Sequence, residues 1–198
     1  MSPFVPRVLW TLFTALACLL TALPVSAAIT MTFWSHELGN SFPHAFFTLR
    51  GMPDAGGAPV DVNYGFTAST LSPKILFSTV RGRLDIAKPG YIATSDAQFS
   101  IVLTGAQYAE ILKLVAAWGE RGDSRYSLGR RNCVHFVQEA ARISGLVGLK
   151  QPNLMKKPRS FLKAVAVANR DRVTVLGVHG RAYLATLPAL PVAITAAP

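Results

Sequence analysis

Cysteine is scarce in this chain: the 198 residues hold two, Cys18 and Cys133. There is no CxxC pair and no HExxH, and the four histidines are scattered, so no metal-ligand spacing is present. Gly56-Gly57 lacks the Lys-Ser/Thr of a phosphate-cradling loop. No residue pattern calls for a cofactor. Acidic residues are few, 10 Asp+Glu against 20 Lys+Arg, which leaves a formal charge of +10. Charged residues make up only 15% of the chain and hydrophobic ones 51%, which excludes a disordered chain. Gly (15) and Pro (13) are near ordinary levels and exclude a low-complexity linker. No internal repeat is visible. The length suits one domain with a sizeable core.

What is there begins with an apolar N-terminus. Residues 1–28 carry Arg7 as their one charge, then an apolar run from Val8 to Leu23, then Pro24 and the small residues Ser26-Ala27-Ala28. That order reads as a secretory signal peptide cleaved after Ala27 or Ala28, with a secreted or periplasmic destination. Removing it takes away one arginine and no acid, leaving +9 on 170 residues. It also removes Cys18, so the exported chain keeps a single thiol, Cys133. A lone cysteine in an oxidising compartment is an intermolecular link, a buried inert residue or a reactive thiol. Export removes nucleic acid as a partner.

The remaining chain divides into a domain over 29–170 and a C-terminal tail over 171–198. Early segments read as strands: Ile29–Trp34 alternates as a half-buried strand does, Phe42–Leu49 is aromatic-rich, and Val60–Ala68 returns after a Gly/Pro loop. Lys74–Thr79, Gly82–Ile86 and Gln98–Leu103 are further strand candidates. Then the period becomes helical. Thr104 with Gln107 has capping-box spacing and opens a helix through Trp118. A second helix is expected from about Asn132 to Ile143, ended by Ser144-Gly145, and a third over Ser160–Ala168. Strands followed by helices predict an α+β domain. The tail is broken by Pro188, Pro191 and Pro198 and holds no uninterrupted run of about 20 apolar residues, so no stable membrane span is expected after cleavage. It reads as a loose tail or one last strand, Val173–Val178.

Cys133 falls at the predicted start of the second helix, in Arg130-Arg131-Asn132-Cys133-Val134-His135-Phe136. Unpaired N–H groups and the helix dipole favour negative charge there, and two arginines precede it. A thiolate with a depressed pKa is therefore expected, with backbone N–H donors at hand for an oxyanion. Such a nucleophile needs a base. His135 is two residues away on the same helix and points elsewhere. His36 and His179 are weaker candidates. His44, in Phe42-Pro43-His44-Ala45-Phe46, is the preferred one. Asn63 is the preferred orienter of its ring and Asp61 the alternative, since both lie on one face of the returning strand.

Asn132-Cys133-Val134-His135-Phe136-Val137 resembles the NCEHFV motif of the lecithin:retinol acyltransferase-like proteins, departing at Val134. These form the circularly permuted branch of the papain-like NlpC/P60 superfamily. The resemblance covers about residues 29–145 and implies a histidine on an early strand, a polar residue on the next and the cysteine last. Here that order is His44, Asn63, Cys133. It implies a permuted papain-like fold, an antiparallel sheet packed on a helix with the cysteine at its N-terminus. The third member in the acyltransferase-like proteins is a second histidine, where this chain offers Asn63 or Asp61. The expected activity is a cysteine peptidase or amidase, a thiol hydrolase acting on an amide or peptide bond, with cell-wall peptides as the expected substrate. Hydrolysis or transfer of a lipid or thioester acyl group is the rival. A non-catalytic basic module is the alternative of another class, holding an anionic surface through Arg121, Arg125, Arg130 and Arg131.

Overall fold

The computed structural model describes residues 28–37, 42–70 and 72–191. The expected export segment lies outside the described residues except for Ala28. Seven strands form one antiparallel sheet: β1 (Ile29–His36), β2 (His44–Gly51), β3 (Val60–Ala68), β4 (Val80–Asp85), β5 (Asp96–Leu103), β6 (Arg125–Tyr126) and β7 (Thr174–His179). Their order across the sheet is β6-β4-β3-β2-β1-β5-β7, so β1 and β2 are central. The helices are α1 (Pro89–Ala93), α2 (Gly105–Trp118), α3 (Cys133–Ile143), α4 (Pro158–Ala168) and α5 (Gly180–Leu184). The molecule is α+β, as its pattern of strands then helices predicts.

Alternation along β2 sorts its side chains onto two faces. Ala45, Phe47 and Leu49 join Met31, Phe33 and Phe66 in a core that also holds Ile111, Trp118, Phe136, Val137, Phe161 and Leu162. That face is covered by α2, α3 and α4. Phe136 of α3 is its hub, with ring centroids 5.4 Å from Phe47 and 5.2 Å from Trp118. The second face carries Trp34, Phe46 and Ala97, packed by Tyr91 and Ile92 of α1, Leu176 of β7 and Tyr183 of α5. Both faces of the central strands are therefore buried. This corrects the half-buried reading of Ile29–Trp34: strands covered on two sides bury consecutive residues, and all of Met31–Ser35 is buried.

Helix ends follow their caps. Thr104 and Gln107 make the predicted capping box at the start of α2. Asn132 caps α3, its side-chain oxygen accepting from the N–H groups of Val134 (2.8 Å) and His135 (3.2 Å). Its side-chain amide donates to the carbonyls of Leu128 (2.7 Å) and Met155 (2.8 Å). Ser144 ends α3.

Two expectations are corrected. The strand expected at Lys74–Thr79 is a 3₁₀ turn, Pro73–Leu76, opened by a proline that donates no backbone hydrogen bond. The last strand expected over Val173–Val178 is present as β7, paired with β5, and Tyr183 packs on the second face, so the packed structure runs past residue 170. Arg131 is not part of an open basic patch. Its guanidinium lies 3.5 Å from the Trp118 ring centroid and donates to the Asp123 carbonyl. Arg125 is likewise paired, with both Asp123 oxygens.

Phe136→Ala should destabilise the protein by roughly 3–5 kcal/mol, since it empties the hub of the larger core. Urea unfolding of the variant beside the parent chain measures this.

Candidate active site

Cys133 is the first residue of α3 and is 7% exposed. His44 is the first residue of β2 and is 9% exposed. Residues 89 apart in the chain, the two stand at the start of α3 and the start of β2. The thiol lies against the start of β2, where the backbone N–H groups of Ala45, Val134 and Cys133 itself favour its thiolate. The imidazole leaves β2 on the side of Phe46, with its ring 6.1 Å from the Phe46 ring and nearly parallel to it. Thiol and ring therefore lie on different faces of β2, with the thiol beside the peptide unit that joins His44 to Ala45.

The ionisation of both groups is set by burial. Burial pushes the Cys133 thiol up to about 11, against the three N–H groups that pull it down. This corrects the expected depressed pKa. The helix terminus acts in the expected direction, but desolvation of the thiolate is the larger effect, and Arg131 is committed to Trp118 and Asp123. Burial likewise lowers His44 to about 4; the Asp85 carboxylate opposes this and His36 adds to it. At neutral pH the site thus holds a thiol and an uncharged imidazole rather than an ion pair.

The expected orienters stand elsewhere. Asn63 lies opposite Thr48, and its amide accepts from the Ala87 N–H (2.7 Å) and donates to the Ala87 carbonyl (3.1 Å). It anchors the segment between β4 and α1. Asp61 pairs with Arg50. The residue facing the ring is Gly65: a Cβ built there would fall 2.5 Å from His44 Nε2. That nitrogen is buried and has no hydrogen-bond partner among the described residues.

Directly across from Gly65 in the β3–β4 ladder is Asp85, on the same sheet face as Gly65 and the ring. The glycine leaves open the line between Asp85 and the imidazole, and the charge of Asp85 is felt at His44. Tyr91 completes the surroundings. Its hydroxyl pKa is raised to about 12 by burial, by Asp85 and by Cys133, and its ring stacks on His36 at 4.2 Å. His36 pairs across the ladder with His44 and lies 3.1 Å, through Nδ1, from the Ser95 hydroxyl.

Sequence reasoning missed Gly65, Asp85 and Tyr91. A glycine inside a strand pattern was the available signal, since it marks a close approach. His135 serves the helix start as the third residue of the Asn132 capping box, and His179 sits at the β7–α5 junction.

No group of metal-binding side chains occurs among the described residues, and no helix among them is long and apolar enough to cross a membrane. Comparison with protein-family models, with curated proteins and with solved structures finds no match to this chain.

Two pH dependences follow from the shifted groups. Iodoacetamide should modify Cys133 slowly at pH 7, with the rate climbing to a plateau only above about pH 11; a plateau reached near pH 7 would contradict this. For His44 the folded-state pKa lies below the unfolded value, so protonation favours unfolding. Its contribution to stability is complete above pH 6.5 and is lost as the pH falls to about 4. Denaturant unfolding across this window should lose on the order of 3 kcal/mol, a loss that His44→Gln lacks.

Proposed function

We propose that the protein is an exported thiol hydrolase that cleaves an amide or peptide bond, with Cys133 as nucleophile and His44 as base. The observation that carries this reading is the position of the one free cysteine among the described residues. It sits at a helix N-terminus, against the peptide unit joining His44 to Ala45, where backbone N–H groups favour its thiolate. The order of His44 before Cys133 and the NCxHF motif support a permuted papain-like architecture.

With both groups neutral at rest, the thiol is activated during the attack rather than before it. The Cys133 proton passes to a ring nitrogen of His44 as the sulfur bonds to the carbonyl carbon. The oxyanion accepts from backbone N–H groups at the helix start. The imidazolium then gives its proton to the leaving amine, and the tetrahedral adduct collapses to a thioester. Water, deprotonated by the same imidazole, hydrolyses the thioester and restores the thiol. Asp85 faces the imidazolium across Gly65, against which Nε2 lies, and stabilises the charge that forms there. Asp85 is thus a positioning residue that acts through His44. Cell-wall peptides are the substrate class that fits an exported amidase with this pair.

Muropeptide digestion tests the proposal. Product should form with the parent chain and be abolished in Cys133→Ala and in His44→Gln. Asp85→Asn should lower kcat by about tenfold or more and move the acidic limb of the pH profile downward, because loss of the carboxylate charge makes the imidazole harder to protonate. Asp85→Glu should restore part of the rate. Release of fatty acid from phospholipid vesicles, with muropeptides left intact, would replace the amide by a lipid ester.

A further inference from the structure

A cleft of about 320 Å³ lies between the 3₁₀ turn and the loop before α3. Ser78 and Thr79, after the 3₁₀ turn, line it on one side, and Ser127 and Arg130, in the loop before α3, line it on another, with Lys156. The 3₁₀ turn follows the end of β3, which extends past the start of β2. The other segments are fixed by Asn132, which donates to Leu128 and Met155 and directly precedes Cys133. The residue that presents the thiol therefore also sets the positions of Arg130 and Lys156.

Two features of the cleft stand out. Arg130 and Lys156 enter none of the ion pairs found among the described residues. Two cations sharing a hydroxyl-lined cleft repel each other, and an anion between them relieves that repulsion. At its rim, Leu76 is 60% and Phe77 87% exposed. Adjacent large apolar side chains held in water next to cations mark a contact surface rather than a folding requirement.

We propose that this cleft binds an anionic group, phosphate or carboxylate, carried on an apolar chain. The binding requires no turnover and stands apart from the thiol-hydrolase reading. The anion lies between Arg130 and Lys156 and accepts from the hydroxyls of Thr79 and Ser127, and the apolar chain covers Leu76 and Phe77.

The test is calorimetric titration of the full chain carrying Cys133→Ala, so that binding is read without hydrolysis. The probes are inorganic phosphate, hexyl phosphate, hexanoate and hexyltrimethylammonium. Saturable binding of hexyl phosphate or hexanoate is expected, severalfold tighter than inorganic phosphate, with no binding of the cation. Preference for hexyl phosphate over hexanoate assigns a phosphate headgroup, and the reverse a carboxylate.

Replacing both cations (Arg130→Gln with Lys156→Gln) should weaken the anionic probes by about tenfold or more, while Arg130→Lys with Lys156→Arg retains them. Phe77→Ser should remove only the advantage of the hexyl chain. Absence of saturable anion binding, equal binding of the cation, or affinity unchanged by the double Gln variant would overturn the proposal. None of these readouts depends on Cys133, so failure here and failure of the hydrolase reading are separately visible.

Discussion

The side-chain amide of Asn132 is buried and engages on both sides: its oxygen takes the first free N–H groups of α3, and its nitrogen holds the carbonyls of Leu128 and Met155. The helix carrying Cys133, the loop carrying Arg130 and the segment carrying Lys156 are thereby tied to one point. A capping residue satisfies donors that would otherwise be lost in the interior. Here it also sets the end of α3 against the start of β2. The direction of the thiol, the crowding of three N–H groups around it and the shape of the adjoining cleft all depend on that contact.

The second constraint is that β2 serves two cores. Its odd-numbered residues feed the core under α2, α3 and α4, and Phe46 feeds the one under α1 and α5. A strand with no solvent face excludes water along its length, so a titratable group at its end is desolvated from both sides. That is why the Cys133 thiol is raised and the His44 imidazole lowered, each toward its neutral form. A neutral pair stores no charge in a low-dielectric site and needs none until a carbonyl arrives to accept the electrons. Asp85, seen across a glycine rather than bonded to the ring, fits such a site: its charge matters most when the ring becomes cationic.

Much of the local structure was legible before any coordinates. α2 begins at Thr104 and α3 at Asn132 as expected, because capping is decided within four residues and the helical period is strong in both. β3 spans Val60–Ala68 as read, bounded by a Gly/Pro loop. The short helices α1 and α5 were not legible, since five residues carry no measurable period, and without them the second apolar face had no visible cover. The 3₁₀ turn at Pro73–Leu76 was mistaken for a strand because its β-branched and aromatic residues suit one, although no neighbouring strand takes them.

The amino-acid sequence by itself determined that Cys133 opens a helix and that His44 lies on an early strand, because both follow from short-range caps and side-chain periods. Only the tertiary structure decided what surrounds them. Asn63 and Gly65 share a face and differ by one step of the ladder, yet one is taken up by Ala87 and the other faces the ring. That difference is a matter of register between three strands. The protonation of the thiol was decided in the same way, because desolvation depends on everything packed around a group and not on its neighbours in the chain.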